Sequence, residues 1–270
     1  MQYDPIKNIF ASAIKKFPFL TILFYRTLDL MFLRSWYVRR ELKNLRKLFG
    51  NRKISVYDAG TGYSQYSYFM AKNLQPNNIY AIDVKEDWIK NSKTFFKAQN
   101  LDNVTFGIED LTEINHKSRF DLILSVDVME HIENDVQVFE NFYKALNKGG
   151  YLIINTPSIY GGSDAHEDED ESFIGEHARV GYSFEDLGNK LEPLGFSIYR
   201  KRYTYGNWGV RAWRLGIKYP MLMLNASKFF FFILPFYYIL TLPFTLLMMY
   251  VDYSGNNKIG AGINLIAQKK

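Results

Sequence analysis

From Lys53 onward the chain alternates short, continuously apolar runs with longer amphipathic ones, and glycine, asparagine or aspartate separates them. Short apolar runs bounded by turn formers read as buried strands, and stretches with apolar positions three and four apart read as helices. The pattern predicts a strand at 54–57, a glycine turn at 58–62, a helix at 66–73 and a strand at 79–82. A helix at 88–99, strands at 104–108 and 120–126, a helix at 136–146 stopped by Gly149-Gly150, and a strand at 151–155 follow. After a polar loop from Pro157 to Gly181, Ser183 stands as an N-cap with Asp186 in the capping-box position, opening a short helix that ends near Gly195. Two final strands occupy 196–203 and 262–268, and no internal repeat is present. Strands alternating with helices imply a parallel sheet covered on both faces.

Residues 5–49 read differently: Phe10, Ile14, Leu20, Phe24, Leu28, Met31 and Trp36 recur at helical spacing among Lys and Arg, and Pro18 is expected to divide the segment into two helices. Lys7, Lys15, Lys16 and Arg26 interrupt any apolar stretch here, so a secretory leader is not expected. Near the other end, 229–251 carries no charged side chain.

The length of 270 residues leaves room for one α/β domain with attachments. The formal charge of +5 fits nucleic acid or an anionic membrane surface equally, but no tract resembles a nucleic-acid-binding tail. No cysteine is present, which removes disulfides, thiolate metal sites and any thiol nucleophile and fits a reducing compartment.

The chemistry concentrates after the strands. Asp58-Ala-Gly60-Thr-Gly62-Tyr-Ser64 lies between a strand and a helix, where a nucleotide-type cofactor binds in a doubly wound sheet. Glycines let the backbone approach the ligand, and amides at the helix start can receive a carboxylate. The next strand ends in Asp83, at a distance suited to a ribose diol, while Gln65 stands where a dinucleotide fingerprint needs its third glycine. Glu109-Asp110 follow the third strand and Asp127 the fourth, so acids follow four successive strands.

With these segments, VYDAGTGYS, YAIDVKEDW, IED, LILSVDVMEHIEN and LNKGGYLIINTP, the chain resembles the class I S-adenosylmethionine-dependent methyltransferases, in particular the group that includes the ubiquinone-biosynthesis O-methyltransferases. The resemblance covers about 36–204 and the last strand. It implies an α/β fold with a seven-stranded, mostly parallel, doubly wound sheet and an antiparallel last strand, here with N-terminal helices and an apolar helical insert added. It also implies S-adenosyl-L-methionine as cofactor. Asp58, Gly60 and Gly62 would surround its methionine part, Asp83 would hold the ribose hydroxyls, Asp110 would face the adenine amino group, and Asp127 would line the methionine and acceptor side. Ser64 replaces a glycine often found in the family.

Methyl transfer from a sulfonium needs chiefly alignment, with a base only where the acceptor keeps its proton. His131 in Asp-Val-Met-Glu-His is one candidate base, with a structural or cofactor-side role as the alternative. Some relatives have Glu-x-x-Glu-His here and are thought to bind a divalent cation. With Asp127 at the first position no metal is assigned, although Asp127, Glu130 and His131 could form a weak Mg or Zn site with water. His177, with Arg179 and Tyr182, belongs to a loop that either covers the acceptor pocket or lies on the surface. His116 and the acidic run from His166 to Glu171 complete the titratable inventory, the latter as a solvated loop.

If the fold ends in two paired strands, the apolar stretch between them has to leave and return on one side. Pro235 and Pro243 divide it into pieces too short to cross a bilayer, so a monotopic or re-entrant helical hairpin is expected. A lid over the active site and a transmembrane anchor are the alternatives. Arg39, Arg40, Lys43, Arg46 and Lys47 on one side, Lys201, Arg202, Arg211, Arg214, Lys218 and Lys228 on the other, and Trp36, Trp208 and Trp213, suit an anionic interface. The division is thus 1–49 as a membrane-proximal cap, 50–204 with 260–270 as the core, and 205–259 as the insert. The expected partners are an apolar or lipid-linked small-molecule acceptor and a membrane surface on its cytoplasmic side. O-methylation is the first reading, with C-methylation or methylation of a lipid-linked sugar beside it. A nucleic-acid acceptor is not expected, because Ser-Val-Asp-Val replaces the base-holding Asn/Asp-Pro-Pro-Tyr/Phe signature. A non-enzymatic scaffold or lipid-binding protein that keeps the fold would show a damaged cofactor loop, and none is visible.

Overall fold

The computed structural model describes residues 18–161 and 178–270. These form a seven-stranded sheet in the order β3-β2-β1-β4-β5-β7-β6. Its strands are β1 (Ser55–Ala59), β2 (Asn78–Asp83), β3 (Val104–Ile108), β4 (Phe120–Val126), β5 (Leu146–Pro157), β6 (Phe196–Thr204) and β7 (Gly262–Lys269). The first five pair in parallel, and β7 runs antiparallel between β5 and β6. Neighbouring residues on one strand serve opposite faces: Val56, Leu122, Leu124 and Ile153 pack into one cluster, while Tyr57, Ile123, Leu152 and Ile154 pack into the other. Burial on both faces is why these strands read as unbroken apolar runs.

Helices α1 (Pro18–Met31), α2 (Leu33–Phe49), α3 (Gln65–Asn73) and α4 (Glu86–Ala98) cover the first face, and α5 (Asp135–Ala145) and α6 (Phe184–Leu191) the second. As expected, Ser183 caps α6, its Oγ accepting from the Asp186 amide at 2.9 Å. Pro18 is the first residue of α1, and the segment it is expected to divide off lies outside the described residues. A break that the sequence reading did not expect falls at Phe32, whose extended backbone separates α1 from α2. Gly149-Gly150 does not end a helix either; α5 stops at Ala145 and both glycines lie within β5.

The apolar insert departs most from expectation. Helix α7 (Asn207–Trp213), one π-helical turn (Arg214–Lys218) and α8 (Tyr219–Ala226) follow one another directly, and a turn at 227–229 leads into α9 (Phe230–Ser254). Pro235 and Pro243 both lie inside α9, which is continuous. A hairpin does form, but between α7–α8 and α9, with its turn at 227–229. Gly209 N–H donates to Asp252 Oδ2 at 2.9 Å, while Tyr237 and Tyr238 hydroxyls donate to the Leu215 and Gly216 carbonyls at 2.7 and 2.9 Å, so the two arms run antiparallel. Both ends of the hairpin therefore return to the sheet, where Leu33 and Tyr37 of α2 pack with Ala212 and Met249.

Candidate active site

The loops after β1, β2, β3 and β4 converge on a cavity of about 960 Å³. Gly60, Gly62, Asp83, Asp110, Asp127 and His131 all line it. Gly60 (φ +80°) and Gly62 (φ +54°) take left-handed conformations, and a Cβ on Gly60 would stand 2.3 Å from Val128 Cγ2 in the loop after β4. The turn is pinned to β2: Gly60 and Thr61 amides donate to the Ile82 carbonyl at 3.1 and 2.7 Å, and the Gly62 amide donates to Asp83 Oδ2 at 2.9 Å. Those three amides are therefore engaged within the protein, and the amides expected to receive a ligand carboxylate are the later ones, at the start of α3. Asp83 also accepts from the Lys85 amide at 2.9 Å. A carboxylate has about four lone-pair sites, so capacity for a diol remains.

Asp58 differs from its expected place. It belongs to β1, is buried, and does not line the cavity. Its Oδ2 accepts from Ser67 Oγ at 2.6 Å and Thr61 Oγ1 at 2.8 Å, so it ties the turn to α3 from beneath. Burial pushes its pKa up to about 6, against the opposing effect of those hydrogen bonds. Ser64, standing where the family often has glycine, is itself left-handed (φ +62°), and its buried Oγ lies 2.7 Å from that of Ser92.

Around the rim, Tyr63 stacks on Trp88 at 4.8 Å and Lys85 Nζ lies 4.4 Å from the Trp88 ring. Asp110 is exposed, its Oδ1 accepting from the Thr112 amide and hydroxyl at 2.8 and 2.7 Å. Glu109 faces inward and accepts from Tyr57 and Tyr80 hydroxyls, both at 2.8 Å, with His116 Nε2 at 3.1 Å. Burial raises its pKa, yet these three donors together hold the carboxyl below its ordinary range. His116 is thus occupied in supporting β1 and β2.

A second cavity of about 510 Å³ adjoins the first, and Phe32, Arg34 and Asp127 line both. Its far walls come from β5, the end of β6 and the base of the hairpin, including Trp213 and Arg214. Asp127, held at φ +52°, is ion-paired to Arg34 of α2 and lies 3.4 Å from Asn155 Nδ2. Arg34 was not legible as a site residue, because only the packing of α2 across the strand ends brings it there.

His131 closes a 3-10 turn and lines the cofactor cavity, whereas its neighbour Glu130 points into the core and accepts from Thr156 Oγ1 at 3.0 Å. Burial pushes the Glu130 pKa up. Asp127, Glu130 and His131 therefore do not converge, and among the described residues no three His, Asp or Glu side chains form a metal site. Tyr182 and Arg179 are supports: Tyr182 is buried and its hydroxyl donates to Asp135 Oδ2 at 2.7 Å and to the Met129 carbonyl at 3.0 Å. Arg179 joins the same Asp135 and donates to the Ile132 and Glu133 carbonyls, bracing the turn that carries His131. His177, His166 and the acidic run to Glu171 lie outside the described residues.

A cavity of this size at the carboxyl ends of parallel strands, with a left-handed glycine turn and an acid with open acceptor sites one strand away, fits a nucleoside-bearing cofactor. Asp83 would hold its ribose, and Gly60 and Gly62 would let its chain approach. Residues 51–187 match the family described as methyltransferase domain. Among curated relatives are a demethylmenaquinone methyltransferase of Bacteroides fragilis, 28% identical over 47% of this chain and 51% of its own, and a ubiquinone biosynthesis O-methyltransferase of Candida albicans, 23% identical over 41% and 34%. The chain spans about half the length or less of these relatives. A solved structure from Galdieria sulphuraria, provisionally described as a sarcosine dimethylglycine methyltransferase, aligns over 87% of this chain and 85% of its own with a TM-score of 0.60 and 16% identity. The (4+2)-cyclase SpnF aligns over 84% and 80% at 0.52 and 14%, so such likeness shows the fold alone. The matched family, together with the glycine turn and the acids after successive strands, places the chain among the class I, S-adenosylmethionine-dependent methyltransferases.

Proposed function

We propose that the chain transfers a methyl group to an apolar or lipid-linked small molecule, by O-methylation, at the cytoplasmic face of a membrane. The observation that carries this reading is the junction of the two cavities at Asp127 and Arg34, with the base of an apolar helical hairpin forming a wall of the second. When bound, S-adenosylmethionine supplies an electrophilic methyl group, so attack by an acceptor oxygen makes one O–C bond, breaks one S–C bond and leaves a proton to be removed. His131 lines the cofactor side of the junction and is the group assigned to take that proton. Phe32 and Trp213 exclude water from the second cavity and present apolar surface to the acceptor.

The membrane part rests on the hairpin. Phe232, Phe236, Ile239 and Leu240 are each about 70% exposed, and α9 at 25 residues is about 37 Å long, comparable with a bilayer core of about 30 Å. An apolar face of that extent on a soluble surface would favour aggregation, whereas in lipid it is satisfied. The test is incubation of the full chain with methyl-tritiated S-adenosylmethionine and a membrane lipid extract. Label is expected in the organic phase, reduced at least about tenfold by His131→Ala, with a loss that shrinks as pH rises and the acceptor ionises unaided. Label appearing only in water-soluble products or on protein contradicts the proposal.

A further inference from the structure

Helix α9 carries one apolar stripe along nearly its whole length. Phe232, Phe236, Ile239, Pro243, Leu247 and Tyr250 are all exposed, and at about 3.6 residues per turn they fall within about 80° of one another over a rise of about 27 Å. Thr245, Met249 and Asp252, on the opposite side, are buried, so the stripe faces away from the rest of the molecule. No charged side chain stands between Phe229 and Val251. The cations of the hairpin lie on its other arm and at its two ends: Arg211, Arg214 and Lys218 in the first arm, Lys228 at the turn and Lys258 just past the base. Arg211, Lys228 and Lys258 are exposed, while Asp252, the single acid from 205 to 260, is buried.

An upright hairpin in a bilayer conflicts with this pattern. The arm from Lys218 to the turn at Lys228 is about 15 Å long, so an insertion stopped with Lys218 at the head groups reaches only half of a hydrocarbon core of about 30 Å. The Tyr237 and Tyr238 hydroxyls bond to the Leu215 and Gly216 carbonyls, which sets the later part of α9 above that level and leaves Leu247 and Tyr250 in water, with Lys228 at the deepest point. Deeper insertion carries Arg214 and Lys218 into hydrocarbon, where charge is costly. We propose that α9 instead lies flat in the plane of an anionic lipid leaflet, its stripe among the upper acyl chains and the α7–α8 arm behind it at the level of the lipid phosphates. In that orientation the exposed cations at both ends of the hairpin meet the anionic head groups. Trp213, on the arm behind, lines the second cavity, so that wall stands one helix layer, about 10 Å, above the acyl chains and an apolar acceptor reaches it without leaving the leaflet. The flat orientation rests on the membrane contact of the proposed function and adds to it a geometry and a charge preference.

The chain has no cysteine, so single-cysteine variants of the full chain take one label each. Phe232→Cys, Ile239→Cys and Leu247→Cys, spaced from the turn to the base of the hairpin, are labelled with nitrobenzoxadiazole and transferred from detergent onto phosphatidylglycerol–phosphatidylcholine vesicles. The vesicles carry lipids spin-labelled either near the head group or near the end of the acyl chain. All three labels are expected to be quenched to within about twofold of one another, and at least about twofold more by the head-group-proximal spin label. Depth that changes steadily from Phe232 to Leu247, or stronger quenching by the distal spin label at any position, overturns the flat orientation while leaving membrane contact in place. No quenching at any position, in samples that still bind S-adenosylhomocysteine, removes the membrane contact itself and the orientation with it. Blue-shifted emission that rises with protein concentration and is not quenched by lipid assigns the stripe to a second copy of the chain and likewise overturns the proposal. The unlabelled chain is expected to bind these vesicles at least about fivefold more tightly than pure phosphatidylcholine at low salt, with the difference shrinking at high salt. Equal binding to both overturns the charge preference.

Discussion

Asp58 and Asp83 end adjacent strands and look alike in sequence, yet the first lies beneath the glycine turn and the second beside it. Asp58 is buried among Thr61 and Ser67, and its pKa rises from 3.8 to about 6. A carboxyl with a raised folded-state pKa binds its proton more tightly when folded, so the stability it contributes is full below its unfolded pKa and is lost as pH rises through the folded one. The window is therefore about pH 4 to 6, and the loss is of order 3 kcal/mol. Asp58→Asn removes that titration. Thermal denaturation should show the variant gaining on the wild type between about pH 4 and about pH 6; a difference constant with pH would contradict the burial argument. The sequence pattern placed both acids at strand ends but could not say which side of the turn each faces. Two residues of difference in where β1 stops, Tyr57 expected against Ala59 observed, decide it. Ser64 shows the converse: the family's glycine marks a left-handed position, and the structure keeps that conformation with a serine.

At the scale of elements, periodicity located the strands well because burial on both faces leaves long apolar runs, and β3 and β4 fall on the expected residues. It misplaced the breaks. Proline was read as a divider at positions 235 and 243, but both sit within one helix. In α9 the arms are tied across by tyrosine hydroxyls, and Gly216 lets Thr245 approach until a Cβ would stand 2.8 Å from Thr245 Cγ2. The hairpin is bolted at its base by buried Asp252, which accepts from Tyr37 Oη at 2.7 Å, Gly209 N–H at 2.9 Å and Asn257 Nδ2 at 3.2 Å. Asp252→Ala leaves those donors without a buried acceptor and should cost about 2–4 kcal/mol in denaturant unfolding. A loss below about 0.5 kcal/mol would mean that the bolt does not hold. The cationic positions were also only partly legible. Arg39 pairs with Asp29, Arg40 Nη1 donates to the Tyr253 carbonyl at 2.9 Å, and Arg46 Nε to that of Leu74 at 2.8 Å, so these arginines secure α2 rather than face outward. Trp36 likewise donates to the Asp29 carbonyl at 2.8 Å, and Trp213 lines the second cavity.

For the whole molecule, the sheet presents its cofactor cavity and its second cavity side by side, and the hairpin extends apolar surface from the wall of the latter. If that surface enters lipid, replacing Phe232 and Phe236 together by Asp should lower co-flotation with phosphatidylglycerol–phosphatidylcholine vesicles at least about tenfold while leaving cofactor affinity unchanged. Undiminished flotation would locate membrane contact elsewhere. The cofactor half of the site was legible because its residues follow consecutive strands at fixed local spacing. The second cavity was not, since Arg34, Tyr205 and Arg214 meet only through the packing of α2 and the hairpin on the sheet. The most direct measurement of the central claim is calorimetric titration of the detergent-solubilised chain with S-adenosylhomocysteine, beside Asp83→Ala. Binding in roughly the micromolar range, weakened at least about a hundredfold by the substitution, is the result the structure predicts. A folded wild-type protein that does not bind, or a variant that binds equally well, would contradict it.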